Sequence, residues 1–156
     1  MTKVQHILVP TDGSEGALKA ATLAGDLARN LDAKVTVLLV QDERSVLAEA
    51  WNTAIGEYAG GSSVGAVEAA RAAMEENARN NALANTGSAV GDVASGIELT
   101  QIWGHPADDI CRYAAEHGVD LIVMGSQGLS ALGRAFLGSV SHAVVNSADC
   151  AVTIVK

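Results

Sequence analysis

Aromatic side chains are scarce: two Trp, two Tyr and one Phe make up 3% of the 156 residues. A core must therefore come from Val, Ile, Leu and Ala, as in sheets covered by Ala-rich helices. Cysteine is almost missing as well. Cys111 and Cys150 stand far apart with no CxxC spacing, which excludes a thioredoxin-like motif and a zinc site and leaves both as small buried hydrophobes. Positive charge is short: 10 Lys and Arg against 18 Asp and Glu give a net charge of −8. That balance excludes a surface gathering nucleic-acid phosphates, which needs a clustered basic field. Apolar runs of the roughly 18 residues that a membrane span requires are absent, and residues 1–6 lack a signal-peptide plan. The expectation is a cytoplasmic protein with neither nucleic acid nor membrane as partner.

What is present is a chain 49% hydrophobic and 18% charged, a globular composition. Its length suits one domain over residues 1–156, since single cores run to about 100–200 residues. The run from Val4 to Pro10 is a buried strand halted by its proline. Thr11-Asp12-Gly13-Ser14 follows as turn and cap, with Ser14 as N-cap of a helix carrying Ala17, Leu18, Ala21, Ala24, Leu27 and Leu31 at near-helical spacing. Residues 33–40 form the second strand, completing a βαβ unit. Helices are expected over residues 43–58 and from about Val64, separated by a turn at Gly60-Gly61, and then a loop with at most a short helical piece over 85–96, where Gly87, Gly91 and Gly96 interrupt regular structure. Residues 97–103 alternate apolar and polar, which places a third strand near a sheet edge. Pro106 opens a helix, residues 120–124 form the fourth strand, 139–147 a helix and 151–155 the last strand. Such alternation calls for an α/β fold: an open, mainly parallel five-stranded sheet with helices on both faces, Rossmann-like, for which the order 3-2-1-4-5 is expected. Ligands of such sheets bind beyond the carboxyl ends of strands where the strand order reverses, here between strands 1 and 4.

The residues just past those two strands are the most informative in the chain. Gly125-Ser126-Gln127-Gly128 follows strand 4, and Gly138-Ser139-Val140-Ser141 opens the next helix nine residues later. Glycines let backbone N–H groups approach an anion closely, and a helix N-terminus adds unpaired donors and a positive dipole end. Ser139 and Ser141 add hydroxyl donors, and Arg134 a positive charge, so the segment reads as a polyphosphate cradle with Asp12 on the opposite side. Glycines that serve only tight turns are the plain alternative. A P-loop is excluded because Ser139 stands where its Lys should be, and a standard NAD site because no G-x-G-x-x-G follows strand 1. Trp51 and Trp103 read as packing residues, not as stacking partners for a flavin.

Gly125-x-x-Gly128, nine residues and Gly138-Ser139, together with Ile7-Leu8-Val9-Pro10-Thr11-Asp12-Gly13-Ser14 and Gly104-x-Pro106-Ala107, resemble the signatures of the ATP-binding branch of the universal stress protein family. The resemblance spans essentially the whole chain and is weakest over residues 41–96. It implies a fold like that of the adenine nucleotide alpha hydrolases, and ATP, or AMP or ADP, with Mg²⁺. Asp12 would contact the adenosine end with Pro10 and Thr11, the main chain of Val40 would line the adenine pocket, and Met124 and Gly125 would lie near the ribose. Gly128, Gly138, Ser139, Val140 and Ser141 would hold the phosphates. A homodimer through the C-terminal strand is implied too, with a protein partner for a stress-response role.

For catalysis the residues offer little. His142 follows Ser139 by one helical turn, but no nucleophile elbow supports a Ser–His pair. His6, His105 and His117 are scattered, without metal-ligand spacing, and read as surface or turn residues, while Asp108 and Asp109 suit a helix first turn. The expectation is nucleotide binding with little or no turnover and no catalytic residue. A slow ATPase or phosphotransferase, or an interaction module without nucleotide, are the alternatives.

Overall fold

Runs rich in Val, Ile and Leu become strands wherever both faces of the chain are covered, and the computed structural model shows this for β1 (His6–Pro10) and β4 (Leu121–Gly125), buried at every position. The structure describes residues 3–42, 44, 65, 68, 69, 71–73, 76, 78–128 and 137–156. Among them lie three further strands, β2 (Lys34–Gln41), β3 (Ile97–Trp103) and β5 (Ala151–Val155). All four neighbouring pairs are parallel and the order is β3-β2-β1-β4-β5, the order expected. The edge position expected for β3 explains its uncovered residues, with Ile97, Glu98 and Leu99 exposed.

Helix α1 (Glu15–Leu31) starts where Ser14 accepts the amide of Ala17 at 3.3 Å, and ends at Asp32, whose left-handed φ of 56° an aspartate tolerates. Its small residues Ala20, Ala21, Ala24 and Ala28 let it lie flat on one face of the sheet, against Ile7, Val9, Val35, Val37 and Val123. The same face receives α2 (Ala84–Val90), which continues a π-helical turn, Ala78–Leu83. Gly25 makes that packing possible, because a Cβ there would run into the carbonyl of Val90. On the opposite face α3 (Pro106–Glu116) and α4 (Ser139–Ser147) cover Leu8, Leu38, Ile122 and Met124 with Ile110, Tyr113, Ala114 and Val144. Helices thus lie on both faces.

Several sequence expectations are refined. Over residues 85–96 the short helical piece allowed within the loop is α2, which leaves loop only at 91–96; Gly87 sits inside α2 and makes room for Leu99 of β3, since a Cβ at Gly87 would come 2.9 Å from the Leu99 Cδ2. Packing has overridden propensity there. His6 is not at the surface but 4% exposed within β1, its Nε2 2.8 Å from the Thr36 hydroxyl. Asp109 is also buried; its carboxylate accepts the His105 amide at 2.7 Å and pairs with Arg112 at 2.5 Å, so it caps α3 as well as suiting its dipole. Cys111 and Cys150 are half-buried, both against the α3–α4 side of the core, where burial pushes both thiols above their ordinary range. Trp103 is half-buried at the end of β3, with the Arg71 guanidinium 4.6 Å from its ring centre. The helix expected from about residue 64 is helical at its described positions within 65–76; of the helix expected over 43–58 only Arg44 is described, and it is helical, while the turn at 60–61, Trp51 and Arg134 lie outside the described residues.

Candidate functional site

The pairing of β1 with β4 covers only Ile7–Leu121 and Leu8–Ile122. Beyond it the two strands follow different neighbours. Pro10 has no N–H to offer, the Thr11 amide donates to the Leu38 carbonyl of β2 at 2.9 Å, and the Ser126 amide donates to the Val155 carbonyl of β5 at 2.7 Å. One strand end is drawn toward β2 and the other toward β5. The carboxyl ends of β1 and β4 therefore part at the place where the strand order reverses, which is where sheets of this kind hold a ligand crevice.

One wall is the turn after β1. Thr11 is buried, and its Oγ1 accepts the Gly13 amide at 3.0 Å, while the Asp12 carboxylate accepts the Ser14 amide at 3.0 Å. Gly13 has φ 79°, a conformation a side chain rarely adopts, and packs on Ala82 of the π-helical turn. These bonds turn Asp12 outward, where it is exposed.

The other wall is the segment after β4. Gly125 and Gly16 allow α1 and this segment to touch through their backbones: a Cβ on Gly125 would stand 2.8 Å from the Gly16 carbonyl carbon, and one on Gly16 would stand 2.9 Å from the Gln127 carbonyl oxygen. Gly138 returns to the same place, its amide donating to the Ser126 carbonyl at 2.7 Å, and serves as N-cap of α4 with φ −63° and ψ 155°. The first amides of α4, at Ser139, Val140 and Ser141, lack partners within the helix, and the positive end of its dipole faces outward with them. Across the crevice the Asp12 carboxylate lies where a Cβ on Gly128 would be, so the two walls meet at that pair.

Residue by residue, Pro10, Thr11 and Asp12 stand on the first wall and Gly125, Gly128, Gly138 and Ser139 on the second, joined by the Asp12–Gly128 contact. Ser141 is oriented differently from a phosphate donor: its hydroxyl, 4% exposed, donates to the Gly125 carbonyl at 2.8 Å and ties α4 to β4. Val140 packs half-buried on the core, and the Met124 side chain is buried in it, so both reach the crevice only by main chain. Val40 lies near the tip of β2, paired with Ile102. His142 turns its ring to the Asn146 amide at 3.3 Å rather than to Ser139. Residues 129–136, between the two glycine pairs, lie outside the described residues.

Three contributors escaped the sequence reading. Gly16 could have been suspected, since a glycine in a helix's first turns costs about 1 kcal/mol against Ala and invites a packing reason. Thr86, whose hydroxyl lies 2.7 Å from that of Thr11, had no local signal because it falls in the stretch expected as a loop, and Ala82 had none because one alanine in an Ala-rich helix is not distinguished from the next. Among the described residues no group of three or more His, Cys, Asp or Glu could hold a metal ion.

Comparison with known proteins agrees with this architecture. The model of the universal stress protein family matches residues 3–156. Universal stress protein MJ0531 of Methanocaldococcus jannaschii is 31% identical over 152 residues, 97% of this chain and 82% of that protein. The solved universal stress protein UspA from Lactobacillus plantarum aligns over 100% of both chains with a TM-score of 0.71 at 25% identity. A crystal structure of a universal stress protein in complex with cAMP aligns over 99% of this chain and 98% of that one, with a TM-score of 0.60 at 25% identity.

Proposed function

Since this chain belongs to the universal stress protein family, we propose that it binds an adenine nucleotide, ATP foremost, in the crevice between β1 and β4, as a regulatory protein with little or no turnover. The observation that carries this reading is the meeting of Asp12 with the Gly128 and Gly138 wall at the point where β1 and β4 part. A carboxylate only accepts hydrogen bonds, so Asp12 suits the hydroxyls of a ribose or the amino group of adenine. The amides at the start of α4 suit phosphate oxygens. Gly138 supports the division. Neither its φ of −63° nor its described surroundings demand glycine, the nearest atom to a Cβ there among the described residues being the Ser126 carbonyl oxygen at 3.4 Å. What the missing side chain leaves clear is the approach to the α4 amides.

The fit to a nucleotide is therefore one of donors and acceptors sorted by wall, and the cAMP complex of a relative is in keeping with it. Mg²⁺ would arrive with the phosphates and offset their repulsion from Asp12, the one protein carboxylate described at the Gly128 contact. The chain as one domain, pairing with a second copy through the edge of β5, completes the proposal. Small molecules released from the purified protein are identified by mass, and ATP binding is measured by calorimetry for wild type and Gly138→Val. Bound adenine nucleotide, with affinity abolished in a Gly138→Val protein that melts like wild type, is expected. Folded wild type without bound nucleotide and without ATP affinity sinks the reading, and release of ADP in excess of protein replaces it with an ATPase.

A further inference from the structure

We infer that Thr86 is a positioning residue for the candidate nucleotide site, acting through Thr11 on the turn that carries Asp12. The inference rests on the nucleotide-binding reading for its ligand but on separate geometry for its mechanism. Thr86 has no exposed surface and stands 75 residues from Thr11, yet their hydroxyl oxygens are 2.7 Å apart. A buried hydroxyl is costly without a partner, and a threonine within a helix ordinarily turns its hydroxyl to the preceding turn or to solvent. Here it is directed to another element. Thr11 Oγ1 also accepts the Gly13 amide at 3.0 Å, so Thr86 fixes the rotamer of the atom that shapes the Thr11–Gly13 turn.

Ala82, one helical turn earlier, supports the same place. Its Cβ would be only 3.1 Å from a Cβ on Gly13, so a side chain there would press on the π-helical turn. The segment 82–86 thus holds the Asp12 turn at two points, a hydrogen bond to Thr11 and a packing contact at Gly13. Asp12 itself is left exposed, with its carboxylate against Gly128. A change in where α2 sits on the sheet would move that carboxylate without any residue of α2 touching a ligand.

Thr86→Val keeps the shape and removes the hydroxyl, Thr86→Ser restores a hydroxyl, and Thr36→Val removes a comparable buried hydroxyl at the far end of the sheet, where it bonds His6. ATP affinity by calorimetry is expected to fall about tenfold in Thr86→Val, the equivalent of about 1.4 kcal/mol. It is expected to recover in Thr86→Ser and to stay at the wild-type value in Thr36→Val. Wild-type affinity in Thr86→Val, no recovery in Thr86→Ser, or an equal loss in Thr36→Val overturns the inference. If wild type binds no adenine nucleotide, the functional reading fails by itself and hydrogen exchange decides the positioning: faster exchange of the Gly13 and Ser14 amides in Thr86→Val, but not in Thr36→Val, supports it, and unchanged exchange overturns it.

Discussion

His6 is the residue whose chemistry the structure alters most. Its Nδ1 faces the His117 carbonyl at 3.2 Å and therefore carries a proton, which leaves Nε2 to accept from the Thr36 hydroxyl. Burial, and then the charge of Lys34, lower its pKa from the ordinary 6.5, against smaller raising effects of the His117 carbonyl, Glu98 and Asp120. The folded state thus binds the proton less readily than the unfolded chain. Stability from this source is fully present above pH 6.5 and is lost as pH falls below it toward the folded pKa. Urea unfolding should show a lower midpoint at pH 5 than at pH 7.5, and His6→Gln should flatten that difference; an equal slope in the variant would assign the acid sensitivity to other groups. The motif residues were legible because their chemistry is local: Asp12, Gly125, Gly128 and Gly138 declare themselves by type and spacing. Ser141 did not declare its orientation, since only the packing of α4 turns its hydroxyl to Gly125.

At the scale of elements, α1 is defined by local signals and seated by glycines. The Ser14 cap is a local matter, and Ser14→Ala should lower stability by about 1 kcal/mol, read from chemical unfolding. Gly25 is a tertiary matter. Its absent side chain admits the Val90 carbonyl, so Gly25→Ala forces backbone apart and should cost about 1–3 kcal/mol despite alanine's better helix propensity. A stabilised Gly25→Ala protein would mean that α2 does not rest there. Most strands were readable from apolar runs and β3 from its alternation, and α3 from Pro106 and its apolar spacing. Helix α2 was readable only as a short helical piece without bounds, because Gly87 and its neighbours carry weak propensity and the element exists by docking on α1 and β3.

For the whole molecule, the decisive feature is a sheet whose two outer strands, β3 and β5, differ in character. β3 exposes Ile97 and Leu99 beside the charge of Glu98, while β5 is half-buried over Val152, Thr153, Ile154 and Val155. The proposed dimer uses the second edge, where a copy of β5 would cover backbone groups that β4 leaves unpaired. Sedimentation equilibrium should then give twice the chain mass at micromolar concentration, and a charge introduced by Val155→Glu should shift it toward the monomer. A wild type that stays monomeric at every concentration would remove the dimer from the proposal without touching the crevice.

Strand identity, the α/β alternation, the α1 cap and the glycine-and-aspartate motif were determined by the sequence alone, because each rests on residues close together along the chain. Tertiary structure decided the rest. It parted β1 from β4 through bonds to different neighbours, set Asp12 against Gly128, buried His6, turned Ser141 inward and placed Thr86 on Thr11. Those pairs lie tens of residues apart or more in most cases, and a hydrogen bond at such separation is selected by how whole elements pack, which no local pattern records.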